Sequence, residues 1–287
     1  MNREQRAELA RQTIEILQTG GYVMPDGTAV PLAALQRASE MATRLFQPGE
    51  LDEVREQQRN RLADLRNDHV AEIEVHNETT LQGIARLQLA GADVIAALNF
   101  GSANNPGGGF LSGSQAQEES LARSSGLHGS LLKAWSYYEH HRAQGSPIYS
   151  DALILSPGCP VFRDDAGAFL PRPLPVHFIS GAAPNAGAIA KSRPNELPTI
   201  PAILERRVAN VLALAACQGY RHLVLGAWGC GVFRNDPVMV AQTFVRLLLD
   251  EGWARHFDCI VFSVLDTSPN REVFCAFGEA LRSRGAV

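Results

Sequence analysis

From Val70 onward the chain alternates two kinds of segment, and this alternation limits its fold more than any other feature. Short apolar runs (AEIEV, DVIAALNF, ALILSP, VHFISG, HLVLGAW, CIVFSVLD) read as strands. Between and after them stand longer runs of helical periodicity: TTLQGIARLQLAG, PAILERRVANVLALAACQGY, PVMVAQTFVRLLLDEG and NREVFCAFGEALRSR. Strands as uniformly apolar as DVIAALNF and CIVFSVLD have no polar edge to turn to water, so both faces of their sheet must be covered. The expectation is an α/β fold with a largely parallel or mixed sheet between two helical layers. Local signals agree with it. A Thr cap opens the helix at TTLQ, and Asp236-Pro237 places a capping carboxylate before a proline at the first helical position.

Residues 1 to 68 read differently. MNREQRAELARQTIEILQTGG has helical spacing and a Gly-Gly stop, and Pro25-Asp26-Gly27 marks a small hairpin or turn. LAALQRASEMATRLF and LDEVREQQRNRLADLRN both read as helices, the second heavily charged. The division is therefore a mostly helical N-terminal accessory segment over 1–68 and an α/β domain over 69–287. Residues 157 to 202 are rich in Pro, Gly and Ala, which predicts long loops around a site.

Charge and cysteine usage narrow the function. A formal net charge of −4 argues against broad attraction to nucleic acid, but backbone N–H groups bind phosphate without net positive charge. The five cysteines are odd in number and unpaired in spacing, so free thiols in a reducing compartment are expected. No His-rich metal-ligand spacing appears, and the adjacent His140 and His141 read as solvated helix residues. The polar N-terminus lacks an apolar leader core and no run is long enough to span a membrane, which predicts a cytoplasmic protein.

Two glycine-rich stretches, NFGSANNPGGG and GAWGCGVFRN, each directly follow an apolar strand. In open α/β sheets ligands bind beyond the carboxyl ends of strands, so both loops belong on one edge. Neither matches a P-loop or a GxGxxG pattern, and a tight turn would explain either alone; two together point to a phosphate-bearing ligand. Gln117-Glu118-Glu119 begins a helical run, its glutamates eleven and twelve residues after Gly107. Adjacent helical residues do not share a face, so the two carboxylates have different tasks, one orienting a hydroxyl and the other moving a proton. The plainer reading is an acidic helix start that complements the helix dipole.

The run NNPGGGFLSGSQAQEESLARSSGL, with its triplet, spacer and QEE, resembles the signature of the poly(ADP-ribose) glycohydrolases, and its surroundings resemble their bacterial-type branch. GAWGCGVFRND is similar to the diphosphate loop of the same family, and the resemblance spans roughly residues 70 to 287. It implies a three-layer α/β/α macrodomain with a mixed sheet, here with a helical N-terminal extension. It further implies hydrolysis of ribose–ribose O-glycosidic bonds without metal or other cofactor. Glu119 becomes the catalytic acid/base, kept protonated by partial burial, and Glu118 the partner that holds ribose hydroxyls. Gln117, Gly107, Gly108 and Gly109 sit beside the diphosphate and distal ribose. Gly229, Cys230, Gly231 and Val232 form the second diphosphate wall, and Phe233 packs on the distal ribose or simply in the core. Asn105 is the chosen ribose contact, with Asn104 and Asn99 behind it. Glu78 either reads the adenine amino group or belongs to a helix cap.

The implied partners are poly(ADP-ribose), ADP-ribose and poly(ADP-ribosyl)ated proteins, met by a monomer that binds neither membrane nor nucleic acid directly. Cleavage from chain ends is expected if the N-terminal segment and the loop at 265–270 wall off the cleft. Three alternatives stay open: a non-catalytic ADP-ribose reader, a hydrolase of single ADP-ribose units, and a general phosphosugar-binding α/β protein.

Overall fold

A computed structural model describes residues 1–64 and 69–285. The N-terminal part runs α1 (Arg3–Thr19), β1 (Gly21–Val23), β2 (Ala29–Pro31), α2 (Ala33–Ala42), β3 (Arg44–Phe46) and α3 (Pro48–Asp64). There follow β4 (Glu72–His76), α4 (Thr80–Leu89), β5 (Ile95–Phe100), α5 (Gln117–Ser124), α6 (Leu127–Leu132) and α7 (Trp135–Gln144). The remainder is β6 (Leu153–Arg163), β7 (Phe169–Gly181), α8 (Ala186–Ser192), α9 (Ile200–Cys217), β8 (His222–Leu225), α10 (Pro237–Val245), β9 (Cys259–Ser263) and α11 (Glu272–Arg282).

Seven strands form one mixed sheet in the order β3-β6-β7-β5-β8-β9-β4. β7, β5, β8, β9 and β4 run parallel; β6 pairs antiparallel to β7, and β3 pairs antiparallel to β6 and so runs in the direction of the other five. The centre strand shows why both faces are covered. Ala96 and Leu98 of β5 join a core with Leu204, Val208 and Leu212 of α9 and Phe244 of α10. Ile95 and Ala97, one residue out of step, join the opposite core with Ile84 of α4, Leu131 of α6 and Tyr138 of α7. Period-2 alternation thus feeds two apolar layers.

Local chemistry sets the boundaries. Asn2 and Gln5 form a reciprocal capping box at the start of α1, and Gly20 ends that helix at φ +83. The Pro25–Gly27 turn joins β1 and β2 as an antiparallel pair. Thr79 and Gln82 form a second capping box on α4, and Asp236 caps α10 through the Val238 N–H.

Three expectations need correcting. The helix expected through Phe46 stops at Ala42, and Arg44–Phe46 pairs with Leu153–Leu155 as an edge strand. Three residues are too few to show alternation, so no sequence period announces β3. The loops expected over 157–202 are largely the long β6–β7 hairpin. Its prolines fit because β7 meets β5 only from His177 onward, so Pro171, Pro173 and Pro175 lie where one edge is unpaired. His141 is buried, its ring bonded to Ser150, and burial lowers its pKa to about 4; only His140 is exposed. The expected end of α3 beyond Asp64 and the division at residue 68 lie outside the described residues.

Candidate active site

A cavity of about 790 Å³ opens at the carboxyl edge of the sheet, above β5, β8 and β9. Because those strands are parallel, both glycine-rich loops reach this one edge, as expected. The lining comes from the start of α4, Gly108 and Gly109 of the triplet, the first turn of α5, the loop after β8 and the segment after β9.

The three glycines divide the work. Gly107 has φ +73, and a Cβ on it would press on the Phe110 ring at 3.0 Å and Ala122 at 3.1 Å, so it serves packing and does not line the cavity. Gly108 has φ +59, and a Cβ there would overlap Glu119 Oε1 and come within 3.2 Å of Glu118 Oε2. At Gly109 a Cβ would meet Ser114 Oγ at 2.5 Å. The Gly109 N–H donates to Glu119 Oε1 at 3.0 Å. At Gly108 bare backbone is therefore required by the glutamates themselves, a physical link that the sequence shows only as spacing.

The two carboxylates differ as their positions on a helix demand. Glu118 is 3% exposed; its oxygens accept from the Ser102 N–H at 2.7 Å and from Asn99 Nδ2 at 3.3 Å. Asn99, itself buried, is tied to Ser180 at 3.0 Å and so holds Glu118. Glu119 is half-exposed on the cavity wall. Full burial belongs to Glu118, whose pKa is pushed up to about 8 by loss of water, against the pull of its N–H donors.

This shift has a stability consequence. Below about pH 4.5 folded and unfolded chains both hold the Glu118 proton, so the residue costs nothing. Above it the unfolded chain releases the proton while the folded chain keeps it until about pH 8, so stability drains away across that window. We expect the melting temperature of the wild type to fall relative to that of Glu118→Gln as pH rises from about 4.5 to about 8. Parallel curves for the two proteins would refute that ionisation behaviour.

The second wall is the turn Gly229–Asn235. Gly229 has φ +78, and a Cβ on it would overlap Asn235 Nδ2, which donates to Pro184 O at 2.8 Å and to Gly229 O at 3.2 Å. Asn235 closes the loop and was not foreseen; its only sequence signal was its place just past VFR. Among the described residues the N–H groups of Gly231, Val232 and Phe233 donate to no protein acceptor. Three successive free N–H groups at a cavity rim suit an anion. Cys230 lines the same loop, and burial raises its thiol to about 12, so it stays protonated. Phe233 is half-buried, 6.0 Å from the Tyr149 ring, and Gly187 N–H holds its carbonyl at 3.0 Å.

Other expected residues sort as follows. Gln117 lines the cavity, but its amide is used to seal the end of β5: Nε2 donates to Leu98 O at 2.8 Å and Thr80 Oγ1 at 3.0 Å, and Oε1 accepts the Phe100 N–H at 2.8 Å. Asn105 lines the cavity; Asn104 does not, and its carbonyl accepts from Arg142 Nη1 at 2.7 Å. Glu78 lines the far end, paired with Arg86 at 2.7 Å and near Ser263 Oγ at 3.3 Å. Thr79, not Glu78, is the cap of α4. Leu265, Asp266, Thr267 and Ser268 complete that end, where Asp266 caps α11 through the Val273 N–H at 2.8 Å and exchanges two bonds with Asn77.

Known proteins match this arrangement closely. The family model for the microbial-type PARG catalytic domain matches residues 10–164. The structure of poly(ADP-ribose) glycohydrolase from Thermomonospora curvata superposes with a TM-score of 0.91 at 47% identity, covering 96% of this chain and 99% of that one. The same protein bound to the inhibitor ADP-HPD gives a TM-score of 0.88 at 46% identity, with the same coverage. The Deinococcus radiodurans poly(ADP-ribose) glycohydrolase in complex with ADP-ribose gives 0.81 at 49% identity, covering 88% and 99% of the two chains. No curated protein matches. With a cleft of this construction, and likeness of this extent, the chain belongs to the microbial-type poly(ADP-ribose) glycohydrolase family.

Proposed function

We propose that the chain hydrolyses the ribose–ribose O-glycosidic bonds of poly(ADP-ribose) and releases ADP-ribose, with Glu119 as acid and base. The observation that carries this reading is the carboxylate pair set against the bare backbone of Gly108 and Gly109 inside the large cavity. A protein that only binds ADP-ribose has no use for a half-exposed carboxylate fixed at that spot. The relatives in complex with ADP-ribose and ADP-HPD support the ligand class.

In this reading the diphosphate lies between the triplet and the free N–H groups of Gly231, Val232 and Phe233. Phe233, held in place through its carbonyl, limits how far the distal ribose can move. Glu119 protonates the departing 2′ oxygen, an oxocarbenium-like centre forms at the distal anomeric carbon, and the resulting carboxylate takes a proton from the attacking water. Glu118, with its proton retained, donates to or accepts from ribose hydroxyls while Asn99 and Ser102 hold it still. Glu78 and the 265–268 segment enclose the adenosine end, which supports cleavage from chain ends.

The test is incubation of purified protein with labelled poly(ADP-ribose). Free ADP-ribose should accumulate at the expense of polymer. Intact polymer beside tight ADP-ribose binding would mean a reader, and release only from singly modified protein would mean a hydrolase of single units.

A further inference from the structure

The loop between the triplet and the glutamates is gripped from outside by the N-terminal helix. Three successive carbonyls of this loop each accept from a guanidinium. Ser112 O takes Arg3 Nε at 2.9 Å, Gly113 O takes Arg6 Nε at 2.8 Å, and Ser114 O takes Arg123 Nη1 at 2.8 Å. Arg123 also holds the Gln115 side chain. Among the described residues none of these three arginines has a carboxylate ion-pair partner within 4 Å. Apart from Arg6 Nη1, which donates to Met1 O at 2.8 Å, the side-chain bonds described for these arginines go to the 112–115 stretch.

The contact is close and specific. Gly113 has φ +73, and a Cβ on it would overlap the Arg3 carbonyl, so α1 lies directly on the loop. Ala10 of α1 packs with Phe110 and Ala122 in a small buried cluster. Thr13, fully buried, donates to Arg123 O at 2.6 Å and accepts from Arg163 Nη1 at 2.6 Å. The loop is in turn wired to the glutamate. Gly109 O accepts the Ser112 N–H at 3.1 Å and the Ser114 N–H at 3.2 Å, while the same residue's N–H donates to Glu119. A shift of Ser112–Ser114 therefore turns the residue that aims Glu119.

We propose that α1 is a working part of the active site, and that Arg6 and Arg123 are positioning residues which hold Glu119 in line through the 109–114 loop. The catalytic consequence rests on the proposed glycohydrolase reading; the positional one does not. A misplacement of about 1 Å in a reacting group costs about 10²-fold in rate. Charge on Arg6 and Arg123 is secondary to their donor geometry, so a donor-retaining replacement should preserve part of the effect.

The experiment compares wild type, Arg6→Ala and Arg6→Lys by steady-state polymer cleavage, ADP-ribose calorimetry and hydrogen exchange. For Arg6→Ala we expect kcat to fall by about 10-fold to 10²-fold, with KM and ADP-ribose affinity within about threefold, and Arg6→Lys to recover part of the loss. The Gly109 and Ser114 amides should exchange faster in Arg6→Ala, while β5 amides keep their protection. Unchanged kcat with a lowered melting temperature would overturn the proposal, since α1 would then only stabilise the fold. Loss of turnover and ADP-ribose affinity together would also overturn it. A wild type without activity on polymer would refute the glycohydrolase reading, and the exchange measurement would still decide the clamp.

Discussion

Replacing Glu119 by Gln should lower kcat on poly(ADP-ribose) by at least about 10² to 10⁴, the range general acid–base assistance supplies. ADP-ribose affinity should stay within a few-fold of wild type. The geometry supports both parts of this expectation. A Gln side chain keeps the volume and one acceptor for the Gly109 N–H, so the loop is not disturbed. The diphosphate contacts assigned to Gly231, Val232 and Phe233 lie on a different loop. What is lost is the ability to give a proton to the departing oxygen and take one from water. A variant turning over within about threefold of wild type would remove Glu119 from the mechanism. The matched measurement is single-turnover cleavage of labelled polymer beside calorimetric titration with ADP-ribose.

The second large effect is expected at a residue with no functional group at all. Gly108→Ala places a methyl where Glu119 Oε1 already sits, and Glu118 Oε2 is 3.2 Å from the same point. Neither carboxylate has an easy retreat, because Glu118 is held by Ser102 and Asn99 and Glu119 by Gly109. The backbone at φ +59 adds a cost of about 1–2 kcal/mol for any side chain. We expect turnover to fall by about 10² or more from displaced carboxylates, with a modest drop in melting temperature. Gly219→Ala is the control, since Gly219 has φ +72 but lies away from the cavity and a Cβ there meets nothing within 4 Å. Equal activity in Gly108→Ala and wild type would show that the carboxylates do not need this backbone bare.

The sequence made the layered α/β fold and its carboxyl-edge site legible because both depend on short-range patterns. Apolar strands, capped helices and glycine loops after strands can all be counted along the chain. What escaped depended on pairing. β3 is visible only because β6 lies beside it, and the prolines of β7 look like loop signals until the unpaired edge is seen. Within QEE the letters gave the cluster and two separate tasks, but not the burial that sets the two carboxyls apart. Burial chose Glu118 for the shifted carboxyl, and Gln117 turned inward to close the end of β5. Asn235 acts through a carbonyl 51 positions away and Arg123 through one nine positions away, and a carbonyl leaves no mark in the sequence.

The grip of α1 on the catalytic loop also bears on the order in which the molecule comes apart. Arg3 and Ser112 stand 109 positions apart and Thr13 and Arg163 stand 150 apart, so these contacts close long loops of chain. The Arg3 contact is exposed and that of Arg6 only part-buried, whereas the two apolar layers around β5 are fully enclosed. Local opening is drawn from such weakly buried, long-range contacts well before the sheet gives way. Mild heat or denaturant would then leave a protein whose sheet is whole and whose glutamate is no longer aimed, so its working lifetime is set at this seam and not by the core.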